Sequence, residues 1–288
     1  MSAFATDTSS VGVIGLGNLG LPMARRLIAT GWNIRVFDTD TSKSDALRAI
    51  PCEVAESVEA LRDCNVLILA VPGDEAVEAI LLGESGYLGT APQPSLVLVN
   101  STVLPGTAQK VAETASSADV LLLDAPVSGG ADRALHGDLT AFVGAEQEAF
   151  KAARHVLDTL ASTVVEVGPP GAGAATKLAN QLMVFSTLGG AHEAMRVAEL
   201  YGVEEKTVLE AVQTSIASSW VTENWGFFDR AEESYNEGGT PPQHRPWVKD
   251  VDEALQVAGS HGLELPIAET LKNVLGSYVG KHAEARSM

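Results

Sequence analysis

Apolar residues in this chain gather into short runs, separated by longer stretches in which they recur every three or four positions. Val11–Ile14, Asn33–Phe37, Val66–Val71, Leu96–Val99 and Val120–Leu123 are such runs. The most continuous of them, Val66–Val71, ends at Pro72 and suits a strand buried on both faces of a parallel sheet. Between the runs, Leu19–Thr30, Asp74–Leu82 and Gly106–Ser116 carry the helical period, with Pro22 in a first turn where proline is tolerated. Strands alternating with helices predict right-handed crossovers and a doubly wound α/β sheet. Two more strands, Leu139–Val143 and Thr163–Val167, flank a helix expected near Gln147–Leu160.

Gly168-Pro169-Pro170-Gly171 breaks this rhythm. From Ala174 to about Tyr201 there is no proline, and Ala, Leu, Met and Glu dominate. A helix of that length spans roughly 40 Å, too long for a crossover. Glu204–Thr214, Val248–Ser260 and Ile267–Val279 also read as helices, interrupted by a polar loop, Glu237–His244. The pattern therefore predicts a disordered tail of small polar residues over 1–10, a sheet domain over 11–168 and an all-helical domain over 169–288 joined through the long helix, with the active site at their junction.

Composition narrows the class. A chain of 288 residues, 45% hydrophobic, supports two modest domains with cores of their own. A formal net charge of −18 leaves no basic stripe to neutralise phosphates, which argues against nucleic acid as a partner. No run approaches the roughly 20 apolar residues of a membrane span, and the first ten residues lack the basic end and apolar core of a signal peptide. Cys52 and Cys64 fall in a stretch expected to be rich in helix, without metal-ligand spacing, and suit the reduced thiols of a cytoplasmic protein. The 6 histidines are scattered, so no metal site is expected. In so acidic a chain, an anionic substrate has to be held by cations placed locally.

The first strand runs into Gly15-Leu16-Gly17-Asn18-Leu19-Gly20. Here Gly15 permits a tight strand-to-helix turn, Gly17 lets main-chain N–H groups approach a pyrophosphate, and Gly20 allows close helix–strand packing. The pyrophosphate then sits at the positive end of a helix. The second strand ends at Asp38, about 20 residues on, where an acid accepts hydrogen bonds from the adenosine ribose. Strand, turn, helix and acid agree on a dinucleotide-binding domain. Asp38 favours NAD over NADP, because a carboxylate repels a 2′-phosphate; Thr39, Thr41, Ser42 and Lys43 are the groups nearby that suit a phosphate. Ligands of such sheets bind beyond the carboxyl ends of the strands, which singles out Val71-Pro72-Gly73, Asn100-Ser101-Thr102 and the segment from Ala125 to Gly130.

Two polar clusters remain. Lys177, Asn180 and Gln181 lie three and four residues apart, hence on one helix face; taken alone, the stripe equally suits a solvent-facing side. Ser128-Gly129-Gly130 places a hydroxyl beside glycine N–H groups, which suits either an anion nest or an ordinary turn. Together with their surroundings they resemble a known family. Asp124-Ala-Pro-Val-Ser-Gly-Gly, followed by Ala134, Gly137 and Leu139-Thr140, is similar to the substrate-binding signature of the β-hydroxyacid dehydrogenases, the 3-hydroxyisobutyrate dehydrogenase and tartronate semialdehyde reductase group. The segment Val13 to Ala24 resembles that family's cofactor turn, Gly171-x-Gly173-x-x-x-Lys177-x-x-Asn180 its catalytic motif, and Lys249-Asp250 a Lys-Asp pair in its C-terminal helices.

The resemblance implies that Lys177 is the general acid in reduction and the base in oxidation, a role for which burial or a neighbouring cation must lower its pKa. It implies that Asn180 and Gln181 orient substrate and lysine, that Ser128, Gly129 and Gly130 hold a substrate carboxylate, that Thr102 lies beside the nicotinamide, and that Lys249 approaches cofactor or substrate. It also implies a homodimer or homotetramer, consistent with a long apolar helix in a small domain. Retention of Lys177 speaks against imine reduction, and its coexistence with Ser128 and Asn180 against a non-catalytic scaffold. Residues 237–246 and the tail 281–288 depart from the family's pattern, so the resemblance implies a substrate class, a small 3-hydroxy acid, rather than one substrate.

Overall fold

The computed structural model describes residues 9–45, 47 and 50–286. The expected tail over residues 1–8 lies outside them, while Ser9 is buried and Ser10 already belongs to the first strand. The chain forms two compact units, Met1–Lys177 and Leu178–Met288.

In the first unit the order is β1 (Ser10–Ile14), α1 (Gly20–Ala29), β2 (Asn33–Phe37), α2 (Thr41–Asp45), β3 (Glu53–Val54), β4 (Val66–Leu69), α3 (Gly73–Leu82), β5 (Leu96–Val99), α4 (Pro105–Ser117), β6 (Leu121–Asp124), β7 (Val127–Ser128), α5 (Gly130–His136), β8 (Leu139–Ala145), α6 (Gln147–Leu160) and β9 (Ala161–Gly168). The sheet runs β3-β2-β1-β4-β5-β6-β8-β7, with β9 paired to β8. Alternation of side chains across a strand sends Val66 and Ile68 of β4 into one core with α1 and α6, and Leu67 and Leu69 into the other with α3 and α4. Leu96 and Leu98 of β5 divide from Val97 and Val99 in the same way. Both faces are thus covered by helices, which is why these strands read as unbroken apolar runs.

From β3 to β6 the sheet is parallel, but β8 pairs antiparallel to both β6 and β7. A parallel return needs a crossover of a dozen or more residues over the sheet face. The connection after β6 is spent instead on β7 and the seven-residue α5, so the chain doubles back. The region around the cysteines is also less helical than expected. Cys52 immediately precedes β3 and Cys64 lies just ahead of β4, with a 3-10 turn, Val58–Leu61, between them. Both are free thiols, and burial pushes each above its ordinary pKa.

The second unit takes up α7 (Ala172–Glu199), which starts in the first, and adds α8 (Glu205–Val212), α9 (Trp220–Glu223), α10 (Phe227–Glu237), α11 (Pro246–Ser260) and α12 (Pro266–Arg286). Its core is built on Phe185, Leu188, Val221, Trp247, Val251, Leu271, Leu275 and Val279. Neither α9 nor α10 was expected; α10 is mostly polar, and only Phe227, Phe228, Ala231 and Tyr235 mark its apolar side. Among the described residues no helix is long and apolar enough to cross a membrane.

His282 on α12 faces Asp229 of α10 through Nδ1 (2.7 Å) and Glu205 of α8 through Nε2 (2.9 Å). Two carboxylates on two ring nitrogens suit an imidazolium, in which both nitrogens donate. The hydrogen bond to Asp229, against the opposing effect of burial, raises the pKa of His282. Its neighbour His192, 5.1 Å away between ring centroids, is pushed down to about 4 by burial and by the charge of His282. A raised histidine stabilises the fold fully below its unfolded pKa of about 6.5 and loses that contribution as pH rises through the folded value; a lowered one does so above 6.5 and loses it as pH falls towards the folded value. The melting temperature of the helical unit is therefore expected to decline by a few degrees on both sides of about pH 6.5. His282→Gln should flatten the alkaline side and, by removing the charge that helps to lower His192, soften the acid side as well; an unchanged alkaline slope in that variant, followed by circular dichroism, would remove His282 as the cause.

Candidate active site

The glycine turn after β1 shows two kinds of glycine. Gly15 has φ of +93°, and a Cβ there would lie 2.4 Å from the Ala70 carbonyl oxygen; at Gly20 it would lie 1.8 Å from the Gly15 carbonyl oxygen. The fold itself demands glycine at both positions. At Gly17 an added Cβ would meet no atom within 4 Å, and the backbone needs no special φ. Among the described residues nothing accounts for glycine at 17, whereas a group lying against its main chain does, so the turn fits a dinucleotide pyrophosphate. Asn18 is exposed and Leu19 half-buried beside it, while Leu16 points into the core.

Asp38, just beyond β2, has 8% of its side chain exposed. It accepts hydrogen bonds from the Leu16 amide at 2.6 Å and the Asp40 amide at 2.8 Å. The ammonium of Lys43 lies 3.7 Å from it. The N–H of Leu16 is therefore committed to this carboxylate, which braces the turn.

Other strand ends are pinned to one another. The Ser101 hydroxyl accepts from the Val71 amide at 2.9 Å, and the Leu104 amide donates to Asp74 at 2.9 Å. Val71 and Thr102 are half-buried and Pro72 exposed. Asn100 donates to the Ala125 carbonyl at 2.5 Å, while its own Oδ1 is buried with no hydrogen-bond partner.

Ser128 closes β7, where it pairs with Thr140, and is followed by Gly129 at φ +141° and Gly130 at φ +78°. Two successive glycines at positive φ thus turn the chain from Ser128 into α5. Asp124, at the other end of this segment, is 1% exposed. It accepts from the Gly171 amide at 2.8 Å and the Ala174 amide at 2.7 Å, in the first turn of the helix that carries Lys177. Burial pushes its carboxyl above the usual range, against the pull of those amides. Lys177 itself is 8% exposed, so the solvent-facing stripe is excluded for it.

In the second unit, Asn180 donates to the Gln181 side-chain oxygen at 3.2 Å, and Gln181 donates to Asp250 at 2.6 Å. Gln181, expected at the substrate, thus has its amide engaged inside the protein and links Asn180 to α11. Lys249 lies 2.6 Å from Glu253 and 3.5 Å from Asp250. Burial alone would lower its pKa, but these two carboxylates outweigh it and hold the ammonium above its ordinary value. Asp124 and Glu253 were missing from the site expected from sequence. Asp124 had a signal, an acid closing an apolar strand; Glu253 had only its spacing of four from Lys249. Among the described residues no group of three or more His, Cys, Asp or Glu stands ready to hold a metal ion.

Residues 10–168 match the family described as the NAD-binding domain of 6-phosphogluconate dehydrogenase, and residues 171–286 that described as NAD-binding of NADP-dependent 3-hydroxyisobutyrate dehydrogenase. The chain is 34% identical over 214 residues to an NAD-dependent L-serine dehydrogenase of Pseudomonas aeruginosa, covering 74% of this chain and 72% of that protein. It is 30% identical over 281 residues to a 3-hydroxyisobutyrate dehydrogenase of the same organism, covering 96% and 94%. Among solved structures, a Mycobacterium tuberculosis 3-hydroxyisobutyrate dehydrogenase with L-serine superposes with a TM-score of 0.79 at 26% identity, covering 96% of this chain and 95% of that one. Matches of this extent over both units, together with the glycine turn and the Asp124–Gly130 segment, mean that the chain belongs to the β-hydroxyacid dehydrogenase family of NAD(P)-binding oxidoreductases.

Proposed function

We propose that this protein is an NAD-dependent dehydrogenase of a small 3-hydroxy acid, interconverting it with the semialdehyde or 3-oxo acid. The observation that carries the reading is a buried lysine, Lys177, one turn into a helix whose start is bonded to the strand leading to Ser128-Gly129-Gly130. The bound nicotinamide supplies the hydride exchange at the hydroxyl-bearing carbon. Lys177 gives a proton to the carbonyl oxygen in reduction and takes it back in oxidation. Ser128 and the N–H groups of Gly129 and Gly130 hold the carboxylate, and Asn180 orients the polar end of the substrate. Thr102, Val71 and Pro72 border the nicotinamide, and Gly15 through Gly20 receive the pyrophosphate. Lys249 offers a permanent cation to cofactor or substrate. L-Serine and 3-hydroxyisobutyrate, named in the relatives above, both belong to the proposed class of short hydroxy acids.

Turnover is tested with NAD⁺ and a panel of 3-hydroxyisobutyrate, glycerate, threonate, serine and 3-hydroxypropionate; reduced nicotinamide should appear with at least one, and its absence with all would overturn the proposal. Lys177→Ala should lower kcat by about 10²–10⁴-fold with NAD affinity within a few-fold of wild type. A large loss of NAD binding would show that the lysine serves the cofactor instead.

NAD is the proposed cofactor because Asp38 is a shielded carboxylate that repels a 2′-phosphate and already draws Lys43 towards itself. Asp38→Ala should weaken NAD by about 10–100-fold, the worth of hydrogen bonds to a charged group, and weaken NADP less. Equal weakening, read from NADH and NADPH fluorescence titrations, would remove the basis for the preference.

We further propose a cytoplasmic homodimer or homotetramer. Leu200, Tyr201 and Ile216 are 81%, 86% and 108% exposed, and α8 buries no residue, although a helix of its length gains its stability from packing. A native mass of two or four chains is expected by light scattering; a monomer at micromolar concentration would refute it.

A further inference from the structure

Helix α7 begins without a cap of its own. Its approach, Gly168-Pro169-Pro170-Gly171, contains no Ser, Thr, Asp or Asn to accept hydrogen bonds from the exposed N–H groups of the first turn. We propose that Asp124, distant in sequence, is that cap, and that by supplying it the residue acts as a positioning residue for the reaction, fixing Lys177 relative to the Ser128 loop.

The carboxylate meets the helix through both oxygens, Oδ1 at Gly171 and Oδ2 at Ala174. Lys177 follows Ala174 by less than one helical turn. At its other side Asp124 closes β6, locked in register opposite Val99 of β5 and Gly144 of β8. The segment from Ala125 to Ser128 leaves from that same point, with the Ala125 carbonyl held by Asn100. One side chain therefore joins the proposed carboxylate-holding loop to the proposed acid. Its socket is close: a Cβ at Gly144 would lie 2.5 Å from Oδ1, and one at Gly173 would lie 2.8 Å from Oδ2 as well as 2.5 Å from the Phe142 carbonyl oxygen. Neither position leaves the carboxylate room to shift. A negative charge at the start of a helix also opposes the positive end of its dipole.

This inference rests on the hydroxy-acid reading, and its tests separate the two. Asp124→Asn keeps the shape but only one acceptor, and Gly144→Ala keeps the charge while displacing it. The Gly144 Cβ would also meet the Gly173 nitrogen at 2.7 Å and the Pro169 carbonyl oxygen at 2.9 Å, so Asp124→Asn is the variant that isolates the carboxylate. Both should lower kcat by about 10–100-fold, the scale set by a misplacement of about 1 Å, with KM and NADH affinity within about threefold of wild type. Amide exchange should quicken by about tenfold or more within residues 169–176 and not elsewhere. Asp124→Ala should be worse than Asp124→Asn, giving a graded rescue by the conservative variant. Wild-type kcat in Asp124→Asn or Gly144→Ala would overturn the positioning role, unchanged exchange at 169–176 would overturn the cap, and a uniform loss of exchange protection with cofactor affinity would reduce Asp124 to a general stabiliser. Should the wild type turn over none of the panel, the hydroxy-acid reading fails. The cap is then judged by exchange, and the placement of Lys177 by its rate of acylation with an amine-reactive label, expected to differ at least threefold in Asp124→Asn and refuted by equal rates.

Discussion

Burial of the central strands on both faces is the constraint from which the other features of the first unit follow. A strand such as β4, with Val66 and Ile68 in one core and Leu67 and Leu69 in the other, has no face on which to carry a polar group. All chemistry is displaced to where the strands end. The ends also carry unpaired main-chain groups, and the structure satisfies these by reaching between neighbours: Ser101 to Val71, Asn100 to Ala125, Asp74 to Leu104, Asp124 to the start of α7. A polar rim on an apolar slab is thus a result of hydrogen-bond satisfaction before it is a result of catalysis, and the ligand-facing groups are those the rim leaves over. Gly17 is one, being a glycine for which the fold has no use of its own.

What the sequence discloses divides along the same line. Features set by neighbours in the chain are legible: the apolar runs, the glycine turn, the length of α7, the stripe from Lys177 to Gln181. Features set by pairing across the fold are not. The antiparallel direction of β8 is set by its pairing with β6 and β7, and β3 and β7, at two residues each, are created by their partners more than by their own sequence. Helix α10 escaped notice because its polar side chains outnumber its apolar ones, and its apolar side is visible only once Trp247 packs against Phe228 and Tyr235. Asp124 and Gln181 illustrate the point within the site. Both residues stand in recognisable motifs, yet the partner of each lies far along the chain, and it is the partner that defines what the side chain does.

Electrostatics fixes the state of Lys249 in the second unit. A chain of net charge −18 opposes the approach of an anion everywhere except where cations and main-chain N–H groups are concentrated. Lys249 is held as a cation by its neighbours: with Glu253 at 2.6 Å and Asp250 at 3.5 Å, removing its proton would leave two buried carboxylates facing an uncharged amine. An acid that holds its proton this firmly contributes charge and position but is poorly matched to proton transfer near neutral pH. Gln181 strengthens the arrangement by anchoring Asp250 on its other side. In the first unit the carboxylate of Asp124 is shared among amides of residues 171–174, where it holds the start of α7.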